Sequence, residues 1–205
     1  FIFGVLFKYK RKIFKVAFFE IYYSIFLRRQ FYKVYYNVGR ADSLPCPYYF
    51  IYKISKFIKK NTINCAVDLG SGNGRIVNFL SLKTSAKMYG FENDQEMFNY
   101  SIKNLNKNAK IEYKDINLIN YNNLDADCYI INTPFWNDTM LKNLIDKIFL
   151  SRVSSKGKYY IIIINIDVIL KKIQLNTIFT NFKLIKFINA GPIRSLRIYK
   201  SLENR

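Results

Sequence analysis

The 205-residue chain contains no histidine. That absence removes Ser-His-Asp and Cys-His nucleophilic mechanisms, histidine general bases and every zinc site built on imidazole ligands, and no metal is expected. Cysteine is sparse: Cys46, Cys65 and Cys128 lie far apart, form no C-x-x-C pair and are odd in number. They read as reduced core or near-core residues of a cytosolic protein, not as a disulfide framework. No long Pro, Gly or Ser tract is present, which argues against a disordered tail. Acidic residues are few, 14 against 33 basic, so the net charge is +19 and the pI near 9.8. A surplus of that size attracts polyanions such as nucleic acid or an anionic membrane surface. Yet 24 of the 33 are Lys and only 9 are Arg, spread along the whole chain. Arginine is the residue of bidentate phosphate and guanine recognition, so the surplus fits equally the Ile-, Asn-, Phe-, Tyr- and Lys-rich composition of an AT-rich genome.

What is present is half hydrophobic and 23% charged, the composition of a packed protein. The length suits one domain of the usual size, about 100 to 200 residues. We divide the chain into a basic, aromatic helical extension over residues 1–44 and a main domain over residues 45–205. Phe1 stands where an initiator Met is usual, which reads as a fragment or a processed form. The apolar stretch Phe1 to Phe7 is too short to span a membrane, which takes about 20 residues. With residues upstream it would be the end of a spanning helix, flanked on its cytoplasmic side by Lys8-Tyr9-Lys10-Arg11-Lys12. From Ile13 to Leu27 an apolar run broken by Lys15 and Glu20 and closed by Arg28 and Arg29 reads as a helix with one greasy side and a basic rim. Such a helix lies on anionic lipid or packs on its own domain, and aromatic residues at helical spacing favour packing. The protein is accordingly placed in the cytoplasm, with the inner face of the membrane as the second location.

Past the rigid loop Ser43-Leu44-Pro45-Cys46-Pro47 and a helix from Tyr48 to Lys60, strands and helices alternate. Strands are expected at Cys65–Leu69, Lys87–Phe91, Lys110–Tyr113, Asp127–Ile131 and Lys158–Ile164, with helices at Arg75–Leu82, Asp94–Asn106, Asp138–Leu150 and Val168–Leu175. Phe182–Phe187 and Ile193–Tyr199, joined by Asn189-Ala190-Gly191-Pro192, close the chain as a hairpin. The fold class is therefore α/β: a Rossmann-like, mostly parallel seven-stranded sheet with helices on both faces and a C-terminal β-hairpin.

The first strand ends in Asp68 and turns through Gly70-Ser71-Gly72-Asn73-Gly74. Residues without a Cβ let backbone approach a ligand closely. In an open parallel sheet the crevice lies at the carboxyl ends of the strands, and that edge carries Asp68, Glu92, Asp115 and Asn132 in succession. A carboxylate at the end of the second strand can accept both hydroxyls of a ribose. The dinucleotide fingerprint G-x-G-x-x-G needs a glycine at position 75, where this chain has Arg75.

The block Val67-Asp68-Leu69-Gly70-Ser71-Gly72-Asn73-Gly74-Arg75 resembles the first motif of class I S-adenosylmethionine-dependent methyltransferases. The resemblance implies S-adenosyl-L-methionine as cofactor. The glycines would border its methionine portion together with Asp68 and Ser71, Glu92 would hold the ribose hydroxyls, and Asp115 would take the adenine amino group with Ile116 beside it. Asn132, Thr133, Pro134 and Phe135 would close the site beside the methyl group. The stretch Leu124 to Phe135 is similar to small bacterial methyltransferases of unassigned substrate whose fourth strand ends in Asn-Pro-Phe, with Thr133 where that Asn would stand. It also resembles the (Asp/Asn)-Pro-Pro-(Tyr/Phe) corner of amino-group methyltransferases, with Thr133 in place of the first Pro. Pro134-Phe135-Trp136 reads equally as a helix-entry turn with an apolar lid or as a stacking surface for substrate.

Methyl transfer from a sulfonium is a direct displacement that needs alignment more than acid-base groups, so the absent histidines cost it nothing. The acceptor is expected to be an amino group, on a protein lysine or on nucleic acid. The basic region from Lys8 to Arg40 and the clustered Lys53, Lys56, Lys59 and Lys60 would guide a nucleic acid toward the crevice. The aromatic basic helix would instead bring the enzyme to a membrane protein, as in the membrane-associated lysine methyltransferases whose Asp-Leu-Gly-Ser-Gly-x-Gly-Arg loop this one resembles. A catalytically inactive cofactor-binding module with a basic surface is the alternative.

Overall fold

A computed structural model describes residues 2–26, 45–103, 105–132, 138–152, 157–166, 172–191 and 194–202. Seven strands, β1 Cys65–Leu69, β2 Lys87–Glu92, β3 Ala109–Tyr113, β4 Cys128–Asn132, β5 Tyr160–Ile164, β6 Phe182–Gly191 and β7 Arg194–Ser201, form one sheet in the order β3-β2-β1-β4-β5-β7-β6. β1 to β5 pair in parallel, and β7 runs antiparallel to both β5 and β6. The alternation of side chains explains why β4 and β5 are apolar at nearly every position. Cys128, Ile130, Ile162 and Ile164 enter one core layer, while Tyr129, Ile131, Ile161 and Ile163 enter the other. Against the first layer pack α1 (Ile2–Phe26), α2 (Tyr48–Lys60) and α3 (Arg75–Lys83), joined by Phe98 of α4 (Gln95–Ile102). Against the second pack α5 (Asp138–Arg152) and α6 (Lys172–Ile178). The α/β sheet, its order of elements and its closing hairpin agree with the sequence.

Several boundaries differ. α1 begins at Ile2 and runs straight through the basic cluster expected to precede it, because Lys and Arg are good helix formers. Its expected closing residues Leu27, Arg28 and Arg29 lie outside the described residues. α4 ends at Ile102 instead of Asn106, whose N–H is taken by the Asn78 Oδ1 at 3.2 Å. α6 spans Lys172–Ile178, and the expected start of this helix, 168–171, lies outside the described residues. Asn189, Ala190 and Gly191, read as turn, belong to β6, whose ladder continues to Gly191 opposite Arg194 through two register shifts.

On its inner side α1 sends Val16 and Tyr23 into the core, and Phe19 packs on the rings of Tyr49 and Tyr52. Tyr23 meets Phe79 edge-on at 4.8 Å between ring centres. Its outer side leaves Phe14, Phe18, Ile21, Tyr22 and Ile25 exposed, with Arg11, Lys12 and Lys15 exposed at the same end of the described side chains. Among the described residues no helix is long and apolar enough to cross a membrane.

Candidate functional site

β1 delivers Asp68 into a wholly buried position where, among the described residues, neither carboxylate oxygen has a hydrogen-bond partner. Burial first, and the Glu92 charge second, push its carboxyl well above the ordinary carboxylate range. The chain then turns through Gly70, Gly72 and Gly74 at φ of 80°, 53° and 74°, a region that side chains with a Cβ avoid. The turn is fastened to β2 by backbone: Gly70 and Ser71 N–H both donate to the Phe91 carbonyl, at 3.0 and 2.9 Å. The buried Ser71 hydroxyl has no hydrogen-bond partner among the described residues. A Cβ on Gly72 would meet nothing within 4 Å, so this stretch of backbone faces open space. Gly74 differs: a Cβ there would stand 2.8 Å from Ile111 Cδ1 and 3.1 Å from Ser101 Cβ, so its bareness makes room for β3 and α4. Gly90, not singled out from sequence, does the same for the turn, since a Cβ there would lie 2.9 Å from Ser71 Cβ. A lone glycine inside a strand is the signal that could have found it.

Glu92, at the end of β2, is 8% exposed. Its Oε2 accepts the Gly72 N–H at 2.6 Å, and Oε1 accepts the Asn93 and Asp94 N–H groups at 2.9 and 2.8 Å. Burial raises its pKa, and these backbone donors pull it partly back. Asp94 caps α4 through the Glu96 and Met97 N–H groups. Beyond β3, Asp115 caps a single 3-10 turn over Ile116–Leu118, accepting the Asn117 N–H at 2.8 Å, and the buried Ile116 presents its carbonyl to the Tyr121 hydroxyl. Asp68, Ser71, Gly72 and Glu92 are thus gathered at the ends of β1 and β2, with Asp115 and Ile116 one strand further out.

On the other side of β1, Asn132 ends β4, and its Oδ1 accepts the Asn165 Nδ2 at 3.2 Å. Asn165, absent from the sequence reading, follows β5 at φ 59° and is buried, with its N–H on the Ser195 carbonyl at 2.8 Å. The Asn165 Oδ1 and Ser195 Oγ are buried without hydrogen-bond partners among the described residues. An Asn closing an apolar strand is a known occupant of the left-handed region, and that was its signal. Thr133, Pro134 and Phe135 lie outside the described residues. Burial pushes the Cys65 thiol up to about 11 and those of Cys46 and Cys128 higher still, which favours the thiol over the thiolate. What the edge offers is a carboxylate without a counter-charge, a buried hydroxyl, an open glycine backbone and a set of amides.

No family model matches the chain, and no curated protein matches it. Solved structures do. An RNA methyltransferase from Salinibacter ruber, in complex with S-adenosyl-L-homocysteine, aligns at 15% identity over 79% of this chain and 96% of its own, with a TM-score of 0.60. The magnesium protoporphyrin IX methyltransferase from Synechocystis PCC 6803, with bound cofactor, aligns at 11% identity over 76% and 79%, TM-score 0.59. A methyltransferase from Aquifex aeolicus aligns at 16% identity over 75% and 98%, TM-score 0.54. At such identities the likeness is one of architecture: the chain has the fold of the class I S-adenosylmethionine-dependent methyltransferases.

Proposed function

We propose that the chain is an S-adenosylmethionine-dependent methyltransferase that methylates an amino group by direct displacement. The observation that carries this reading is the wholly buried, unpartnered carboxylate of Asp68 beside the unpartnered Ser71 hydroxyl, at a turn whose Gly72 faces open space. Buried polar groups are nearly always satisfied, so groups left unanswered by the protein fit a ligand that answers them, here one bearing an ammonium. When bound, S-adenosylmethionine supplies a methyl group on a positively charged sulfur. Asp68 and Ser71 take the methionine end, bordered by Gly70 and Gly72, while Gly74 completes the turn. Glu92 accepts the ribose hydroxyls, and Asp115 and Ile116 receive the adenine. Asn132, with Thr133, Pro134 and Phe135, orients the acceptor nitrogen and keeps water from it. Orientation of two reactants is worth about 7 to 11 kcal/mol, which is why the site works without histidine.

The acceptor is a protein lysine or a nucleic acid. The net charge of +19 supports nucleic acid, as does the fold shared with an RNA methyltransferase. The exposed apolar stripe of α1 with its basic residues supports peripheral contact with the cytoplasmic face of a membrane. The test is incorporation of labelled methyl from S-adenosylmethionine into a host lysate, followed by nuclease and protease digestion. Label lost to nuclease assigns nucleic acid, and label lost to protease assigns protein. Binding of S-adenosylhomocysteine with no label in either fraction would leave the chain a cofactor-binding interaction module.

A further inference from the structure

We propose that Glu20 of α1 is a positioning residue for the glycine turn, so that cofactor binding by the main domain depends on the N-terminal helix. The inference rests on the methyltransferase reading for its ligand, not for its geometry. Glu20 Oε1 accepts the N–H of Tyr48, the first residue of α2, at 2.6 Å. That helix starts after Pro47 with no side-chain cap, so the carboxylate of α1 serves as one. Its Oε2 pairs with Arg75 Nη2. Arg75 is the first residue of α3, directly after Gly74, and is 5% exposed, with its guanidinium 3.7 Å from the centre of the Tyr48 ring.

A cation in the first turn of a helix opposes the helix dipole, and a buried one must be neutralised. Glu20 meets both needs with one group, since it places negative charge at the start of α3 and fixes the Arg75 side chain against Tyr48. The start of α3 is also the end of the turn that carries Gly70 and Gly72. The connection to the ligand edge is along the chain: Gly74, whose N–H donates to the Ser71 carbonyl at 2.9 Å, is followed directly by Arg75. Position 20 lies within the extension and the turn within the main domain, so the ligand site is held from both.

The experiment uses the full chain and three variants, Glu20→Gln, Arg75→Lys and Phe19→Leu. Each is checked by circular dichroism, then followed by amide hydrogen exchange across residues 70–78 without ligand and by calorimetric titration with S-adenosylhomocysteine. In Glu20→Gln and Arg75→Lys, exchange in the turn rises and affinity falls by about tenfold, within the range usual for coupled sites. Phe19→Leu, which loosens α1 packing on Tyr49 and Tyr52, lowers the unfolding temperature but leaves turn exchange and affinity unchanged. The proposal is overturned if both polar variants keep wild-type exchange and affinity, or if Phe19→Leu changes them as much. Wild-type protein that binds no S-adenosylhomocysteine overturns the methyltransferase reading instead, and the exchange measurement still decides the role of Glu20.

Discussion

The two halves of the sheet's carboxyl edge are built differently. At β1 and β2 the contacts are largely backbone: the Phe91 carbonyl receives two N–H groups of the turn, and the Glu92 carboxylate receives three more. At β4 and β5 the contact is amide to amide, from Asn165 to Asn132, 33 positions apart. A cradle made of main chain requires glycines in one short run and constrains a ligand's shape. A pair of side chains on separate strands leaves no run and sets polarity instead. Under the proposed function the first half would hold the cofactor and the second would face the acceptor.

The comparison breaks most sharply at the turn. Gly72→Val places a branched side chain in the open space and in a left-handed conformation, and should remove S-adenosylhomocysteine binding in calorimetry while unfolding stays cooperative. Unchanged affinity would move the cofactor away from β1. Next is Glu92→Ala, which would lose the proposed ribose contacts and frees the Gly72 N–H. Charge-assisted hydrogen bonds are worth about 1.5 to 3 kcal/mol each, so affinity should fall roughly a hundredfold, against about fivefold for Asp115→Ala, which would lose the one proposed adenine contact. Equal losses in the two variants would remove the distinction between ribose and adenine corners. Asn165→Ala sharpens the contrast from the other side: S-adenosylhomocysteine affinity should stay within about twofold while kcat for methyl transfer falls about tenfold. A matching loss of affinity would merge the two halves into one site.

The smallest effect is on stability. Asp68 has its carboxyl raised by folding, so the native state holds that proton more tightly than the unfolded chain does. Its contribution is favourable below the ordinary carboxylate range and is lost as pH rises through the raised value. At pH 8 Asp68→Asn should therefore raise the melting temperature of the ligand-free protein by about 2 to 4 °C. The gain should shrink on acidification, and the variant should bind S-adenosylhomocysteine more weakly. A variant less stable than wild type at pH 8 would mean that Asp68 is held as a charge by the fold itself.

The same contrast governs what could be read from sequence. The placement of Asp68, the glycine run and Glu92 together at the carboxyl edge was legible because the turn's positive φ angles call for glycine and β1 and β2 are consecutive. The apolar runs of β4 and β5 were legible because both their faces are buried. Asn165 was not, since its meaning depends on Asn132 across the sheet, and neither was the pairing of Glu20 with Arg75, 55 positions apart. The limits of β6 and β7 escaped because Asn189 to Gly191 carry turn residues yet continue a bulged ladder, where pairing overrides local preference.

The position of β7 has a consequence for the order of assembly. Among the described residues β6 pairs with the sheet only through β7, which stands between it and β5, although β6 comes earlier in the chain. Until the last of the seven strands is made, β5 presents an open ladder of isoleucines and β6 has nothing to pair with. A nascent chain emerging from a ribosome can therefore complete β1 to β5 early but must hold an exposed, adhesive border until residues 194–201 arrive. Chains halted before that point are the ones a cell's folding machinery would have to shield.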